Sequence, residues 1–513
     1  MNSSDYLVKG FLCIWLTGIT FPYVGSTLLA QTDQLASHPR ELTFPTLEFS
    51  VPNVASHRHV LSNGVVVFVV EDHTLPLVDI SVIVRTGTYL DPVDKIGLGR
   101  LTGGQMRAGG TIGKTATEFD EQVAFLALQV GSSISPTRGS VSLNCLTKDL
   151  EDALDLFFEM LRYPGFDQTR LDLAKNQMKQ EMERRNDRTA SVERREWGRL
   201  IRGDSHFTTT PRTDESIDAI KREDLLAFHK RFYHPDGFVF AVSGDVITRE
   251  ILNKLESYLV GWESNLEAVP PVPVPKHVVQ PGLYLVDKPD VNQGRISLGH
   301  IGTTRDNPDR YALQVMNDLL GGGGFTARLM KRVRSDEGLA YSIWSSFGLG
   351  TYYDGVFRTR FESKSETVGR ATAIVLEEIQ RIRTERVSEE ELETSIASFV
   401  ETFSRRFSSA ASTASLFAGN EYTGRNPSYI ETYRDHISAV TSNDVLRVAQ
   451  EYLFPDRLVF LAVGNIDDIL KGDPDNPGHS LAEVVPSEAT YIPLPDPMTM
   501  KYPRATIVGS SDF

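Results

Sequence analysis

Hydrophobic positions along this chain fall into two rhythms. Short runs such as GVVVFVVED (64–72) and RISLGHIG (295–302) are rich in β-branched residues and predict strands. QTRLDLAKNQMKQEMERRND (168–187) places Leu171, Ala174, Met178 and Met182 at helical spacing, which predicts an amphipathic helix. Strands and helices come in blocks, not in strict alternation. That pattern points to an α+β fold: a mixed or antiparallel sheet with helices packed on one face.

The order of elements occurs twice. FHKRFYHPDGFVFAVSGDV (228–246) holds a helix end, a Tyr–x–Pro step, an apolar strand and a Gly–Asp turn, and VAQEYLFPDRLVFLAVGNI (448–466) repeats that order. VDISVIVRTGTYLDP (78–92) finds its counterpart in GRISLGHIGTTRDNP (294–308). The strand and long helix of GSVSLNCLTKDLEDALDLFFEMLR (139–162) return in DGVFRTRFESKSETVGRATAIVLEEIQRI (354–382). Three segments at a near-constant offset predict a duplicated domain. The expected organisation is one domain at 45–265 and a second at 283–470. The proline-rich stretch 266–282 (LEAVPPVPVPKHVVQPG) would be an extended connector, and 471–513 an irregular tail.

Bulk numbers exclude some functions. A chain of 513 residues exceeds one ordinary core. A net charge of −15, from 53 basic and 68 acidic residues, argues against nucleic acid as a partner. Lys9 followed by the apolar GFLCIWLTGITF (10–21), with small residues at Ser26 and Ala30, predicts an export signal over 1–30 and a periplasmic or secreted product. An uncleaved membrane anchor is the alternative, and only then would the chain touch a membrane. Pro22, with glycines at 18 and 25, leaves the apolar run shorter than the roughly 20 residues a span needs. Of the two cysteines, Cys13 falls in the leader, where Gly10, Phe11 and Leu12 make a poor lipidation context. Cys145 alone forms neither an intramolecular disulfide nor a thiolate metal site.

The stretch LSNGVVVFVVEDHTLPLVDISVIVRTGTYLDPVDKIGLG (61–99) combines an Asn–Gly hairpin, a Leu–Pro step, a Gly–Thr turn and a Gly–Leu–Gly run. It resembles the opening of the pitrilysin/insulinase-type, inverted-zinc peptidases, and in particular their processing-peptidase branch. In active members the next helix carries H-x-x-E-H: two histidines bind zinc and the glutamate is the general base. The resemblance puts the histidine positions at Arg100 and Gly104, the base at Gly103 and the distal ligand at Glu181. A guanidinium cannot ligate a metal, glycine has no side chain, and one carboxylate does not make a three-ligand site. The other histidines, among them His57, His59, His229 and His234, show no helical pairing beside an acid; His229 and His234 read as ordinary surface or helix-end residues. No metal or other cofactor is therefore expected in this chain.

NDLLGGGGFTARLMKRVRSDEGLAYSIWSSFG (317–348) holds four glycines, then a predicted helix with Phe325, Leu329 and Val333 on one face. Gly338 is the expected stop and AYSIWSSF a strand. A phosphate loop would end in Lys–Ser/Thr, which this run lacks. The stretch resembles the family's second-domain signature. That resemblance makes Arg334 and Tyr341 catalytic, through hydrogen bonds to the substrate carbonyl or adjoining backbone, and makes Gly321, Gly322, Gly323, Gly324 and Phe325 a substrate-handling loop. The plainer readings are a helix-end arginine, a packed strand tyrosine and a simple turn.

A chain without the zinc motif but with the Arg/Tyr pair fits the non-zinc member of a two-subunit protease. It would bind peptide and work with a homologous zinc-bearing subunit, inactive alone. A catalytically inert scaffold subunit is the alternative, and an independent metallopeptidase with substituted ligands is a third.

Overall fold

Alternating burial builds the first sheet. Its strands are β1 (Arg58–Val60), β2 (Val66–Glu71), β3 (Leu77–Val84), β4 (Gln129–Ile134), β5 (Gly139–Leu146) and β6 (Phe238–Gly244), in spatial order β1-β2-β6-β3-β5-β4. On β3 and β5, the cross-strand pairs Val78–Cys145, Ile80–Leu143 and Val82–Val141 enter the apolar core. The intervening pairs Asp79–Asn144 and Ser81–Ser142 therefore project to the opposite face, because strand side chains alternate. This computed structural model describes residues 42, 49–264, 267–504 and 506–508; the expected leader at 1–30 lies outside them. No helix among the described residues is long and apolar enough to cross a membrane.

Residues 267–281 carry no helix or strand. Then follow β7 (Gly282–Asp287), β8 (Gln293–Ile301), β9 (Thr303–Thr304), β10 (Ala340–Phe347), β11 (Leu349–Gly350), β12 (Val356–Lys364), β13 (Val459–Gly464), β14 (Ala489–Tyr491) and β15 (Thr506–Val508). β9 and β11 pair with each other. The rest form a second sheet in the order β10-β12-β8-β13-β7-β14-β15. The order β2-β6-β3-β5-β4 thus recurs as β7-β13-β8-β12-β10. In each set the first pair is parallel and the others antiparallel. The duplicated α+β fold read from the repeats is present.

Each half packs its own helices on one face of its sheet, as expected, but the opposite face is not left bare. The first half's helix Thr189–Arg202 lies on β8 and β13, placing Val192, Trp197 and Ile201 against Val459, Leu461 and Val463. The second half's helix Ala410–Tyr422 lies on β2 and β6, with Phe417 against Phe68. Each half covers part of the other's open sheet face, and burying a side chain such as Phe417 stabilises by about 2–3 kcal/mol. Nor is the segment after 470 an irregular tail. β14 pairs with β7, and the Tyr502 hydroxyl donates to Glu196 at 2.8 Å while Arg199 stacks on its ring at 3.7 Å. Its turn-rich composition hid a strand that relies on a neighbour for its hydrogen bonds.

The helix Leu98–Ala108 meets the edge strand β4 at Gly103. A Cβ there would lie 2.4 Å from the Ile134 backbone nitrogen, whereas one on Gly104 would meet nothing within 4 Å. The second half makes a similar contact two residues away along its equivalent strand. Gly321, in the helical turn Asp318–Gly322, lies so close to β10 that a Cβ would sit 2.8 Å from the Ser345 backbone nitrogen. In both halves a glycine lets a helix touch the backbone of an edge strand.

His229 lies in the last turn of the helix Arg222–Phe232, the helix-end alternative its spacing allowed, but it is buried in the core and not on the surface. Its ring Nε2–H donates to the Leu161 carbonyl at 2.8 Å and it stacks on Tyr233. Burial pushes its pKa down to about 4.

Two outcomes follow from this packing. Gly104→Ala should raise stability by about 0.5–1 kcal/mol through helix propensity, while Gly103→Ala should lower it by about 1–3 kcal/mol through overpacking. Chemical denaturation of the two variants measures the contrast. The second concerns acid. Below about pH 6.5 the unfolded chain protonates His229 and the folded chain resists. Its contribution, on the order of 3 kcal/mol, should fade as pH drops from 6.5 toward 4 and then level off. His229→Gln should flatten that part of the stability–pH curve.

Candidate functional site

The positions expected to hold zinc lie on two helices of the first half. Arg100, Gly103 and Gly104 are on Leu98–Ala108, whose amino end is held by Asp91. Its carboxylate accepts from the Gly97 and Gly99 amides at 2.8 and 2.7 Å. Burial raises Asp91 to about 6, against the pull of those amides. Glu181 comes from the helix Gln168–Glu183. The Arg100 guanidinium lies 3.7 Å from the Glu181 carboxylate, so the surviving acid faces a fixed cation. Both side chains are more than half exposed, and such a pair contributes at most about 1 kcal/mol. Arg212 stands nearby. Burial, then the charge of Arg100, holds it below the usual arginine range.

These residues do not fit a zinc ion. One ligand position is a guanidinium, the second has no side chain, and the base position is filled by the β4 backbone. Among the described residues no group of three His, Cys, Asp or Glu side chains is placed to hold a metal.

The second half brings together residues that are distant in sequence. Residues 328–336 are helical, and Gly338 ends the helix at φ 65°. Leu329 and Val333 are buried on the face expected for them, but Phe325 is not with them. It sits in the separate turn Gly324–Thr326, 70% exposed, because the chain is extended at Ala327 before the helix starts. Phe325 instead meets Arg334, whose guanidinium carbon lies 4.6 Å from the Phe325 ring centre and 5.0 Å from that of Tyr341. Tyr341 is 85% exposed. Two large aromatic rings in the open, both on one arginine, are an unusual way to use apolar surface.

The neighbouring arginines are occupied. Arg328, nearly buried, forms a bidentate pair with Glu391 at 2.7 and 2.9 Å and draws that carboxyl down to about 2. Arg332 pairs with Glu377 and Glu378 at 2.9 and 3.0 Å. Arg334 has no carboxylate partner among the described residues. A cation on an aromatic face keeps its N–H edges available, so its donors remain free for a ligand.

The four glycines divide by role. Gly321 is buried against β10, and Gly322 and Gly323 close onto Asn317 and Asp318, so only Gly324 has open space around it. The run is mostly a close-packed turn that delivers Phe325 to Arg334. No hydrogen bond, ion pair or ring contact among the described residues joins the Arg100/Glu181 cluster to the Arg334 cluster.

One feature of the second sheet escaped the sequence reading. Arg358 and Arg360 alternate with buried Phe357, Thr359 and Phe361 on β12, and Arg360 stacks on Trp344 of β10 at 4.5 Å. The period-two spacing in VFRTRFES was the available signal.

Residues 66–197 match the family described as Insulinase (Peptidase family M16), and residues 219–399 match the Peptidase M16 inactive domain. A Bacillus subtilis (strain 168) relative named "Uncharacterized zinc protease YmxG" is 25% identical over 324 residues, covering 62% of this chain and 77% of that protein. A Helicobacter pylori relative named "Non-peptidase homolog YmxG" is 25% identical over 342 residues, covering 64% and 76% respectively. The crystal structure of a peptidase M16 inactive domain from Pseudomonas fluorescens superposes with a TM-score of 0.71 at 23% identity, over 79% of this chain and 97% of that one. At that identity the likeness speaks for the fold. With two adjoining regions matched and the repeated sheet order to support them, this chain belongs to the insulinase family of peptidases, M16, as a member whose zinc motif has been lost.

Proposed function

We propose that the chain is the non-zinc subunit of a heteromeric zinc peptidase, binding extended peptide and presenting Arg334 and Tyr341 to a reaction whose metal sits on a homologous partner. The observation that carries this reading is the free guanidinium of Arg334, held between Phe325 and Tyr341 while Arg328 and Arg332 are consumed by carboxylates. Hydrolysis of a peptide bond builds negative charge on the carbonyl oxygen. A pre-positioned guanidinium and a phenol can donate to that oxygen or to the adjoining backbone. The edge strands β4 and β10 each have one neighbour, which leaves backbone groups to which an extended peptide can add.

The first half supplies the complementary argument. With Arg100 and two glycines at the ligand and base positions, water activation falls to another chain carrying the intact motif. A relative named a non-peptidase homologue fits this division of labour. Export to a periplasmic or extracellular space belongs to the same proposal, resting on the apolar stretch 10–21.

Four outcomes test the reading. The purified chain should hold far less than one zinc per molecule by elemental analysis and should not cleave peptides alone. Mixed with a zinc-bearing family member from the same genome, it should restore cleavage. Arg334→Ala should lower turnover of the mixture by on the order of tenfold or more, and Tyr341→Phe by several-fold. Unchanged turnover with Arg334→Ala would support the inert-scaffold reading instead. A zinc chelator should stop the mixture without lowering the melting temperature of the isolated chain.

A further inference from the structure

The inner face of the second sheet, beside Tyr341, opens into a groove of about 620 Å³. We propose that this groove receives acidic side chains of the bound peptide, with Arg360 and Arg194 as the receiving groups, so that the chain selects Asp- and Glu-rich substrates. The inference rests on the peptide-binding reading above and adds a substrate class to it.

Charge is the first argument. The groove is lined by five cationic side chains and two carboxylates, in a protein whose net charge is −15. Both carboxylates are spoken for. Glu362 takes Arg295 at 2.6 Å, and Glu193, nearly buried, takes Arg358 together with the Ser297 hydroxyl. Arg194, Arg360 and Lys364 are left without a carboxylate partner among the described residues. The arginines are close enough to feel one another. Burial holds Arg358 below the usual arginine range, and the charges of Arg360 and Arg194 add to that effect while Glu193 opposes it.

Geometry is the second. Arg360 sits opposite Trp344 in the β10–β12 register, and the ring holds its guanidinium from one face at 4.5 Å. The planar edge is left free for a bidentate carboxylate. Arg194 comes from the first-half helix Thr189–Arg202, which lies on the same sheet. Tyr341 lines the groove and also carries Arg334, so an acidic side chain there would belong to the same peptide that Arg334 meets.

The first sheet provides an internal control. Its equivalent face carries Asp79, Ser81, Ser142 and Asn144, and the pocket on it measures about 240 Å³. By sheet register, Asp79 corresponds to Arg295, Ser142 to Arg360 and Asn144 to Glu362. The fold therefore does not require arginines at these positions. They are a property of this face alone.

The test uses the full chain and two fluorescent peptides: a short unstructured sequence rich in Asp and Glu, and its Asn/Gln counterpart. Anisotropy titration should show the acidic peptide binding more tightly by on the order of tenfold at low salt, with the difference shrinking as salt rises. Arg360→Gln and Arg194→Gln should each remove most of that preference while leaving thermal unfolding unchanged. Equal binding of both peptides by the wild-type chain would overturn this inference and leave peptide binding intact. A preference that survives both substitutions would overturn the assignment to this groove. Absence of binding by either peptide would overturn the peptide-binding reading as well.

Discussion

Backbone-to-backbone contact between a helix and an edge strand is the constraint on which both halves of this protein are built. Gly103 against β4 and Gly321 against β10 meet the equivalent edge strands two residues apart in register, and in each the space a Cβ would need belongs to the strand. Two consequences follow from one contact. In the first half it falls at Gly103, the position that the resemblance assigns to a general base. In the second it fixes the turn from which Phe325 reaches Arg334.

The duplication also shows how a single architecture can be given opposite chemistry. Each half lends a helix to the other's open sheet face, and the remaining part of each face is left to its strand side chains. On the first sheet those are small and polar with one acid; on the second they include three arginines, Arg295 and Arg358 paired and Arg360 not. Alternation along a strand makes this possible, because changing the outward residues leaves the core pairs, such as Ile80 with Leu143, untouched. At the positions expected to hold zinc, the Arg100 guanidinium lies 3.7 Å from the Glu181 carboxylate.

Much of this was legible in the sequence. The repeated strand–helix blocks predicted the duplicated α+β fold, AYSIWSSF became β10, and Leu171, Met178 and Met182 are buried as their spacing required. The resemblance put Arg100, Gly103 and Gly104 at the ligand and base positions, where a guanidinium and two residues without side chains offer no side-chain ligand. Tertiary structure decided the rest. Phe325 left the apolar helix face because the chain extends before the helix begins, and His229 turned inward because the Leu161 carbonyl lies within reach of its ring. The segment after residue 470 gained a strand only because β7 offered hydrogen bonds. Local periodicity and side-chain chemistry are properties of neighbours in the chain. The freedom of Arg334, the occupancy of Arg328 and the crowding at Gly103 depend on groups tens to hundreds of residues away, and no reading of spacing along the chain contains them.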